Sequence, residues 1–281
     1  MNTFTDIIKP RKSIFDIRLK DVWDYRDLVL MFVKRDFAAQ YKQTILGPLW
    51  FFVQPLLTTI MFTVVFGNIG KISTDGMPKM LFYLCGLTIW NYFAECFNRT
   101  STVFLSNAGI FGKVYFPRLV SPLAIVISGL LRFGVQLLMF LGFWIYYIIQ
   151  SPDLVQPKYE FLWLFPFLIL YMAGFALGFG MIISSLTTKY KDLVQLISFG
   201  VTLLMYATPI IYPVSSLPER YQVFVNLNPL APVVESFRNI FLGTASIEWL
   251  SLCISGFVML FIILIGILFF NKVERTFMDT V

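Results

Sequence analysis

Six apolar blocks dominate the sequence, and each is long enough to cross the hydrocarbon core of a bilayer, which takes about 20 helical residues. The predicted spans lie near residues 48–67, 80–97, 119–149, 161–186, 193–213 and 249–270. The third block exceeds one perpendicular crossing, so it has to tilt or extend beyond the membrane. In the fourth, Gly174, Gly178 and Gly180 predict a close contact with another helix. The blocks predict an all-α integral membrane protein with six transmembrane helices.

The composition supports this class and excludes others. Apolar residues make up 58% of the 281 residues and charged residues only 14%, whereas a soluble domain usually carries about 25% charged residues. The sequence has no histidine, which removes the commonest general base and metal ligand. We interpret the three cysteines, Cys85, Cys96 and Cys253, as core residues of the apolar blocks. The net charge of +6 fits membrane orientation better than nucleic-acid binding.

Basic residues near the span ends predict the orientation, because cytoplasmic loops are enriched in lysine and arginine. With the N-terminus inside, ten basic residues flank the cytoplasmic ends: Lys34, Arg35, Lys42, Arg99, Lys113, Arg118, Lys189, Lys191, Lys272 and Arg275. The outer loops hold five over a similar length: Lys71, Lys79, Lys158, Arg220 and Arg238. Six spans then return the C-terminus to the cytoplasm. The first thirty residues are polar and mixed in charge, unlike a secretory signal peptide.

Two stretches are neither plain loop nor span. Before the first span, apolar residues recur every four positions and predict an amphipathic helix along the membrane interface: Val33, Phe37, Tyr41 and Ile45. Gly47-Pro48 ends that helix, and Pro48 suits the first turn of the next one. Residues 214–248 contain apolar pieces too short to cross, divided by Pro229 and Pro232. They predict re-entrant helices between spans five and six, with an ordinary surface loop as the alternative.

No catalytic or nucleotide-binding motif is complete. The segments "GNIGKIS" (67–73) and "GIFGKVY" (109–115) lack the four-residue spacing between glycines and the hydroxyl residue after lysine that a phosphate-binding loop needs. No paired carboxylates lie within an apolar block, and no nucleophile has a base nearby. The sequence therefore predicts a protein that is not an enzyme and binds neither metal nor cofactor itself.

Arg132 and several aromatic residues are the candidates for a substrate path. Arg132 lies roughly 20 Å along the third helix at 1.5 Å per residue, where an arginine has to face protein or water. It either contacts an anionic substrate group or has a structural partner. Aromatic rings along a water-filled path offer apolar faces on which sugars can stack. The candidate channel-lining rings are Phe62, Phe66, Tyr83, Trp90 and Tyr206.

Three separated segments together resemble the permeases of ABC exporters that move O-antigen, capsule and teichoic-acid polymers. The first is "KRDFAAQYKQTILGPLWFFVQPL" (34–56), which is similar to the opening of that family. "TKYKDL" (188–193) is similar to its short cytoplasmic loop, with Lys191 where arginine is usual. "TPIIYPVSSLPERY" (208–221) and "NPLAPVVESFRNIFLG" (228–243) resemble its outer re-entrant region. The resemblance covers nearly the whole chain in the same order.

The resemblance implies a half-transporter in the bacterial inner membrane. Two copies of the chain would form a homodimeric channel, and two separate P-loop ATPase subunits would dock on its cytoplasmic face, binding ATP and magnesium. The cargo would be a polysaccharide linked to a polyprenyl diphosphate lipid. Residues 1–47 would form a cytoplasmic segment, residues 48–270 the transmembrane domain and residues 271–281 a cytoplasmic tail.

The resemblance also assigns three sets of site residues. A coupling helix near 101–113 would rest in a groove of the ATPase and receive its movement through seven residues: Ser106, Asn107, Ala108, Gly109, Ile110, Phe111 and Lys113. The interfacial helix would frame an entrance for the lipid diphosphate: Arg35, Asp36, Tyr41 and Lys42, with Asp36 as a local ion-pair partner. The outer gate would include four residues, among which Glu235 and Arg238 are spaced to pair: Asn228, Pro229, Glu235 and Arg238.

Other classes of protein fit the sequence less well. A membrane-embedded glycosyltransferase or acyltransferase would need acids or histidine clustered at the membrane face. A channel or ion-coupled carrier would need intramembrane acids and inverted repeats. A permease of the same fold with a drug or a small lipid as its cargo remains the main alternative.

Overall fold

The structure, a computed structural model, describes residues 19–41, 47–114, 116–244 and 246–280. These ranges contain helices and no strand, which confirms the all-α prediction. Short 3-10 turns and one π-helical stretch, Thr63–Ile69, connect or extend the α-helices. The α-helices of the described ranges are α1 (Leu19–Asp24), α2 (Arg26–Tyr41), α3 (Trp50–Phe62), α4 (Lys79–Ser101), α5 (Val103–Ser106), α6 (Ala108–Phe111), α7 (Val120–Gln150), α8 (Phe165–Thr187), α9 (Leu193–Ala207), α10 (Glu219–Asn226), α11 (Ala231–Leu242) and α12 (Trp249–Thr280).

Four helical stretches of the described chain are long and apolar enough to cross a membrane. They are Trp50–Ile69, Val120–Gln150, Tyr159–Thr187 and Trp249–Glu274. They coincide with the first, third, fourth and sixth predicted spans. The first combines α3 with the π-helical stretch that follows it, and the fourth lies within α12. An integral membrane protein follows from these four stretches alone.

The second and fifth predicted spans differ from the other four. Helix α4 has 23 residues and is long enough to cross a membrane. Its charged and amide side chains make it less apolar than the four stretches above, and it is not among them. Helix α9 has 15 residues and ends at Ala207, six residues before the predicted end at 213. The backbone of Thr208 is extended because a residue that precedes proline, here Pro209, is disfavoured in the helical conformation.

Helix α4 lies at the centre of the fold. It packs against α3, α7, α8, α9 and α11, and its side chains from Leu81 to Phe93 are buried with few exceptions. A helix that is buried on all sides keeps its polar side chains only where they meet partners or a cavity. The polar residues in the second half of α4 are therefore informative.

Helices α8 and α12 approach each other backbone to backbone. A Cβ atom at Gly266 would lie 2.6 Å from the carbonyl oxygen of Gly178, and one at Gly178 would lie 2.9 Å from the amide nitrogen of Ile263. Only glycine allows this separation, because any side chain would push the two helices apart. The close helix contact predicted for the fourth span is confirmed.

The N-terminal helices pack on the beginning of α7. Val29 and Phe32 are buried, and the ring of Phe32 meets Phe116 edge to face at 5.6 Å. Phe37, in the predicted interfacial stripe, is exposed, as a side chain in the headgroup region would be. The protein-facing side of α2 is thus the row Val29, Phe32 and Asp36, with Val33 of the stripe partly buried beside it.

Residues 208–248 form two short helices, α10 and α11, connected by turns. At about 1.5 Å per residue, neither is long enough to cross a bilayer. Helix α11 ends at Leu242 and is followed by Gly243, whose φ of +78° favours glycine. A Cβ atom there would lie 2.1 Å from the carbonyl oxygen of Gln156. The segment is therefore fixed tightly against the loop that precedes α8.

Candidate functional site

A polar cavity of about 270 Å³, which we call the α2 cavity, lies between α2, the end of α4, the α5–α6 segment and the beginning of α7. Residues predicted for the lipid entrance and residues predicted for coupling to an ATPase line it together. The sequence treats these as two sites 70 residues apart, whereas the fold brings them to one cavity. Its lining residues are Arg35, Asp36, Arg99, Thr102, Ser106, Asn107, Ile110, Ser121, Ala124 and Ile125.

Asp36 connects two arginines at the edge of the α2 cavity. Its side chain is 8% exposed, its Oδ1 lies 2.8 Å from Arg35 Nη2, and its Oδ2 contacts Arg99 Nη2. A buried carboxylate needs such partners, because an isolated buried charge is strongly unfavourable. The structure thus gives Asp36 the local ion-pair role expected from the sequence.

The ion pairs continue from Arg99 into the helix bundle. Arg99 Nη1 lies 3.7 Å from Glu95 Oε1 and 3.3 Å from Ser128 Oγ. Glu95 Oε1 in turn contacts Arg132 Nη1. The resulting row, Arg35, Asp36, Arg99, Glu95 and Arg132, alternates in charge and joins α2, α4 and α7; we call it the ion-pair chain.

Arg132 has the structural partner that was one of the two alternatives left by the sequence. Glu95 is a structural partner, and the guanidinium carbon lies 4.7 Å from the ring centroid of Phe51, a cation–π distance. At the same time, Arg132 lines a second polar cavity. Its structural partnership therefore does not remove it from a surface that a ligand could reach.

This second cavity, which we call the α3 cavity, has a volume of about 300 Å³ and lies between α3, α4 and α7. Its wall combines the Glu95–Arg132 pair with amide, hydroxyl and aromatic side chains. The ion-pair chain extends from the α2 cavity to the α3 cavity through Arg99 and Glu95. The lining residues are Trp50, Phe51, Gln54, Pro55, Thr58, Asn91, Ala94, Glu95, Asn98, Arg132 and Gln136.

The predicted coupling helix is divided into two four-residue helices, α5 and α6, at Asn107. The buried Asn107 side chain donates from Nδ2 to the carbonyl oxygen of Val103 at 3.0 Å. An asparagine that bonds the preceding turn in this way competes with helix continuation. The expectation of one short helix over 101–113 is therefore corrected to two helical turns.

Aromatic stacking anchors these two turns to the rest of the protein. The ring of Phe104 stacks on Phe270 of α12 with centroids 4.6 Å apart, and Phe111 meets both Phe104 and Phe116. The residues that follow, from Gly112 to Val114, are exposed, as is Gly109. The segment thus has a fixed base and an exposed tip, Gly109 with Gly112–Val114.

Two of the predicted entrance residues cannot be positioned. Lys42 lies outside the described residues, and the structure describes only the backbone of Tyr41. Arg35 and Asp36 are described and line the α2 cavity.

The predicted channel-lining rings separate into buried and exposed positions. Tyr83 and Trp90 are almost completely buried, so in this conformation they form core and not a surface that cargo could touch. Phe62 packs edge to face on Phe66 at 5.1 Å and near Tyr83 at 6.2 Å. Tyr206 is 46% exposed. Trp50, which the sequence analysis did not propose as a lining residue, borders the α3 cavity instead.

The predicted outer-gate residues tie α10 and α11 to the segment after α9. Asn228 Nδ2 donates to Thr208 Oγ1 at 2.9 Å, and its Oδ1 accepts from the amide of Leu230 at 3.0 Å. The carbonyl oxygen of Pro229 accepts a hydrogen bond from Ser255 of α12. These bonds connect α9, the α10–α11 turn and α12.

The expected ion pair between Glu235 and Arg238 is not among the ion pairs of the described residues. Arg238 is 2% exposed and donates from Nη2 to the carbonyl oxygens of Pro209 and Ile210, at 2.9 and 3.2 Å. Its guanidinium carbon lies 3.9 Å from the ring centroid of Phe82. Spacing of one helical turn allowed the pair, but the Arg238 guanidinium group is engaged by the backbone of residues 209–210.

Except for Arg132, the polar wall residues of the α3 cavity were not predicted from the sequence, although a signal was present. Each of three helices carries polar residues one or two turns apart, within otherwise apolar stretches, and such residues share a face. They are Gln54 and Thr58 on α3, Asn91, Glu95 and Asn98 on α4, and Arg132 and Gln136 on α7. Each pattern alone is weak, and only the packing of the helices shows that all three face one cavity.

Comparison with known proteins identifies the family of the chain. The family model for the ABC-2 type transporter matches residues 27–242. An O-antigen export system permease protein, RfbA, of Klebsiella pneumoniae is 29% identical over 90% of this chain and 94% of its own length. RfbA of Myxococcus xanthus is 27% identical over 80% of this chain and 84% of its own. The polysialic acid transport protein KpsM of Escherichia coli is 22% identical over 88% and 93%. The chain therefore belongs to the ABC-2 type transporter family.

Proposed function

We propose that this chain is the membrane-spanning subunit of an ATP-driven exporter that moves a polysaccharide linked to polyprenyl diphosphate across the bacterial inner membrane. Two copies would form the channel, and two separate P-loop ATPase subunits would supply the energy. The observation that carries the proposal is the similarity to O-antigen export permeases along 90% of the chain. The similarity to a polysialic acid transport protein along 88% of the chain also supports a polysaccharide as cargo.

The α5–α6 segment is suited to receive movement from an ATPase. Its tip is exposed, with Val114 58% accessible, and it offers apolar contact and one positive charge, Lys113. Its base is held by the stack of Phe104 on Phe270 and by a hydrogen bond from Thr187 Oγ1 to the carbonyl oxygen of Ser101, 2.7 Å long. A push on the tip would therefore reach α8 and α12 as a rigid-body displacement.

The α2 cavity is suited to a phosphate-bearing headgroup. Arg35 and Arg99 stand on either side of Asp36, and guanidinium groups form strong charge-assisted hydrogen bonds with phosphate. Ser121 contributes a buried hydroxyl whose Oγ has no partner among the described residues. An entering diphosphate would compete with Asp36 for the two arginines.

The proposal includes six membrane spans with both termini in the cytoplasm. Helix α4 would serve as the second span, because its polar side chains face cavities and partners inside the protein, where intramembrane charges are tolerated. Helix α9 would be the fifth. Helices α10 and α11 would enter from the outer face and return as the gate, with their backbone satisfied by protein partners such as those of Asn228 and Arg238.

The exporter proposal is tested by removing the chain and by identifying its partner. Deletion should strand lipid-linked glycan in the cytoplasm, and affinity purification of the tagged chain should retain a P-loop ATPase in equal amount. Complementation by the chain together with an ATPase whose catalytic site is inactivated should fail. Export that continues with the inactive ATPase, or a chain that retains no ATPase, would contradict the proposal.

The coupling role is tested at Val114. Because Val114 is exposed, Val114→Asp should leave the thermal stability of the isolated chain unchanged. A charge in an apolar docking contact should lower export roughly tenfold, equivalent to about 1.4 kcal/mol, while ATP hydrolysis by the partner continues. Val114→Thr, of similar shape without charge, is the matched control. Equal export by both variants would remove this tip from the coupling contact.

A further inference from the structure

The α3 cavity is the polar feature of the structure that the exporter proposal leaves without a role. Polar side chains of three helices converge on it: Gln54 and Thr58 from α3, Asn91, Glu95 and Asn98 from α4, and Arg132 and Gln136 from α7. Two of those helices belong to stretches that are long and apolar enough to cross a membrane. Polar residues in such a setting are unfavourable unless they have partners or a function.

The partners present in the chain satisfy this set only in part. Asn91 Nδ2 donates to Gln136 Oε1 at 3.3 Å, and Thr58 donates to the carbonyl oxygen of Gln54 in its own helix. Asn98 Oδ1 is buried and has no hydrogen-bond partner among the described residues. Donors and acceptors of amide groups thus border a space that a ligand with hydroxyl groups could complete.

The remaining walls indicate what kind of ligand would fit. Trp50 and Phe51 supply aromatic surface, and Trp50 is about half exposed, so the cavity is open beside α3. Its volume of about 300 Å³ lies at the lower end of the range for small-molecule sites. Amide side chains that pair with hydroxyls, beside an aromatic ring that contacts C–H groups, suit one sugar unit.

The Glu95–Arg132 pair adds a preference for charge. Arg132 contacts Glu95, and Glu95 also lies 3.7 Å from Arg99. Glu95 therefore keeps Arg99 as a cationic partner if Arg132 binds another anion. At the α3 cavity, two guanidinium groups, those of Arg99 and Arg132, lie close to the one carboxylate of Glu95. This arrangement favours an anionic ligand over a cationic one.

We propose that the α3 cavity binds a sugar unit that bears a negatively charged substituent, a phosphate or a carboxylate, with Arg132 exchanging Glu95 for that substituent. The amide side chains of α3, α4 and α7 would form hydrogen bonds with the hydroxyl groups of the sugar. The inference deepens the proposed function, since the sugar would be a unit of the exported glycan. It assigns the cavity a selective role inside the transport path.

The experiment measures binding to the full-length chain in nanodiscs of neutral phosphatidylcholine, without any ATPase. The probes are glucose 1-phosphate, galactose 1-phosphate and glucuronate, with glucose, galactose and glycerol 3-phosphate as comparisons. We expect at least one anionic sugar to bind about tenfold more tightly than its neutral counterpart and than glycerol 3-phosphate. If no anionic sugar exceeds glycerol 3-phosphate, the proposal is overturned.

Variants assign the binding to the cavity. Arg132→Gln should remove the advantage of the anionic sugar, and Glu95→Gln should increase it, because the competing carboxylate is gone. The double variant with both substitutions removes the charges together, so it does not depend on tolerance of an unpaired Glu95. It should bind anionic and neutral sugars equally. Arg220→Gln, at an exposed position, should change nothing; an anionic advantage that survives in the double variant would refute the site.

The outcome of the sugar-binding assay does not depend on whether the exporter proposal is correct. Binding needs only this chain, so failure of the sugar assay leaves ATP-dependent export intact. Conversely, absence of an ATPase partner would remove the exporter while leaving a sugar site in the membrane.

Discussion

The partly buried Arg99 and Arg132 of the ion-pair chain and the buried Arg238 differ in their partners. Arg99 and Arg132 meet carboxylates at the walls of two open cavities. Arg238 lies on Phe82 and donates to backbone carbonyls of Pro209 and Ile210. A carboxylate partner can be exchanged for another anion, whereas a backbone carbonyl in a packed turn cannot leave. We infer that the first group is placed for function and the second holds the 208–248 segment together.

The largest effect is expected for Arg238→Met. The substitution keeps the length of the side chain but leaves the two carbonyl oxygens unpaired, at about 1–3 kcal/mol each. We expect most of the protein to lose its monodisperse peak in size-exclusion chromatography after mild heating. Arg220→Met, at an exposed position, is the control and should behave as the parent. A stable Arg238→Met protein would show that the bonds from Arg238 to the backbone are not needed to hold the segment, which would contradict the contrast with Arg132.

The rigidity of the same segment is tested independently by Gly243→Ala. The new Cβ would lie 2.1 Å from Gln156 O, and the φ of +78° adds about 1–2 kcal/mol for a residue other than glycine. Thermal stability should fall clearly, though less than in Arg238→Met. Gly142→Ala, where nothing lies within 4 Å, is the matched control. Unchanged stability would mean that the loop around Gln156 can move away from the added Cβ atom at little cost in free energy.

A smaller loss of stability is expected for Asp36→Asn. The change removes the negative charge between Arg35 and Arg99, but Arg35 is 42% exposed and Arg99 keeps Glu95. We expect about 1–2 kcal/mol of destabilisation, below the 3–5 kcal/mol typical of a fully buried pair. Export should fall further than stability if the α2 cavity receives cargo. A collapse as severe as that of Arg238→Met would erase the distinction between the two regions.

The smallest effect is expected for Gly109→Ala in the exposed tip. Nothing lies within 4 Å of the added Cβ, and alanine favours a helix by up to about 1 kcal/mol relative to glycine. Stability should be unchanged or slightly raised, with export retained. Thermal unfolding of the isolated chain measures the stability, and glycan export in cells measures the function. A marked loss of stability would show that the tip packs against the rest of the chain.

Much of the architecture could be predicted because it depends on runs of residue types. Four predicted spans match long apolar helices, and the glycines of α8 predicted a close contact with another helix, which the structure shows to be α12 at Gly178. Helix α9 ended earlier than predicted because Thr208 precedes Pro209. The coupling segment is divided because the buried Asn107 side chain bonds its own preceding turn, a local competition that composition does not indicate.

The sites were harder to predict because they depend on which faces meet. The α2 cavity combines Asp36 with Asn107, and no spacing in the sequence relates them. Arg238 and Glu235 share a helical face, yet Arg238 donates to the backbone of Pro209 and Ile210. The polar residues on α3, α4 and α7 recur at helical spacing in the sequence. Only the packing of the three helices shows that Gln54, Asn98 and Gln136 line one cavity.

The contact between Gly178 and Gly266 has a consequence for movement during transport. At this crossing no side-chain layer separates the two backbones, although the side chains of Met259 and Ile263 fill the interface beside Gly174. We expect α8 and α12 to move together during transport, since Phe270 of α12 also stacks on Phe104 in the α5–α6 base. Changes of shape are then expected mainly where α3, α4 and α7 border the α3 cavity.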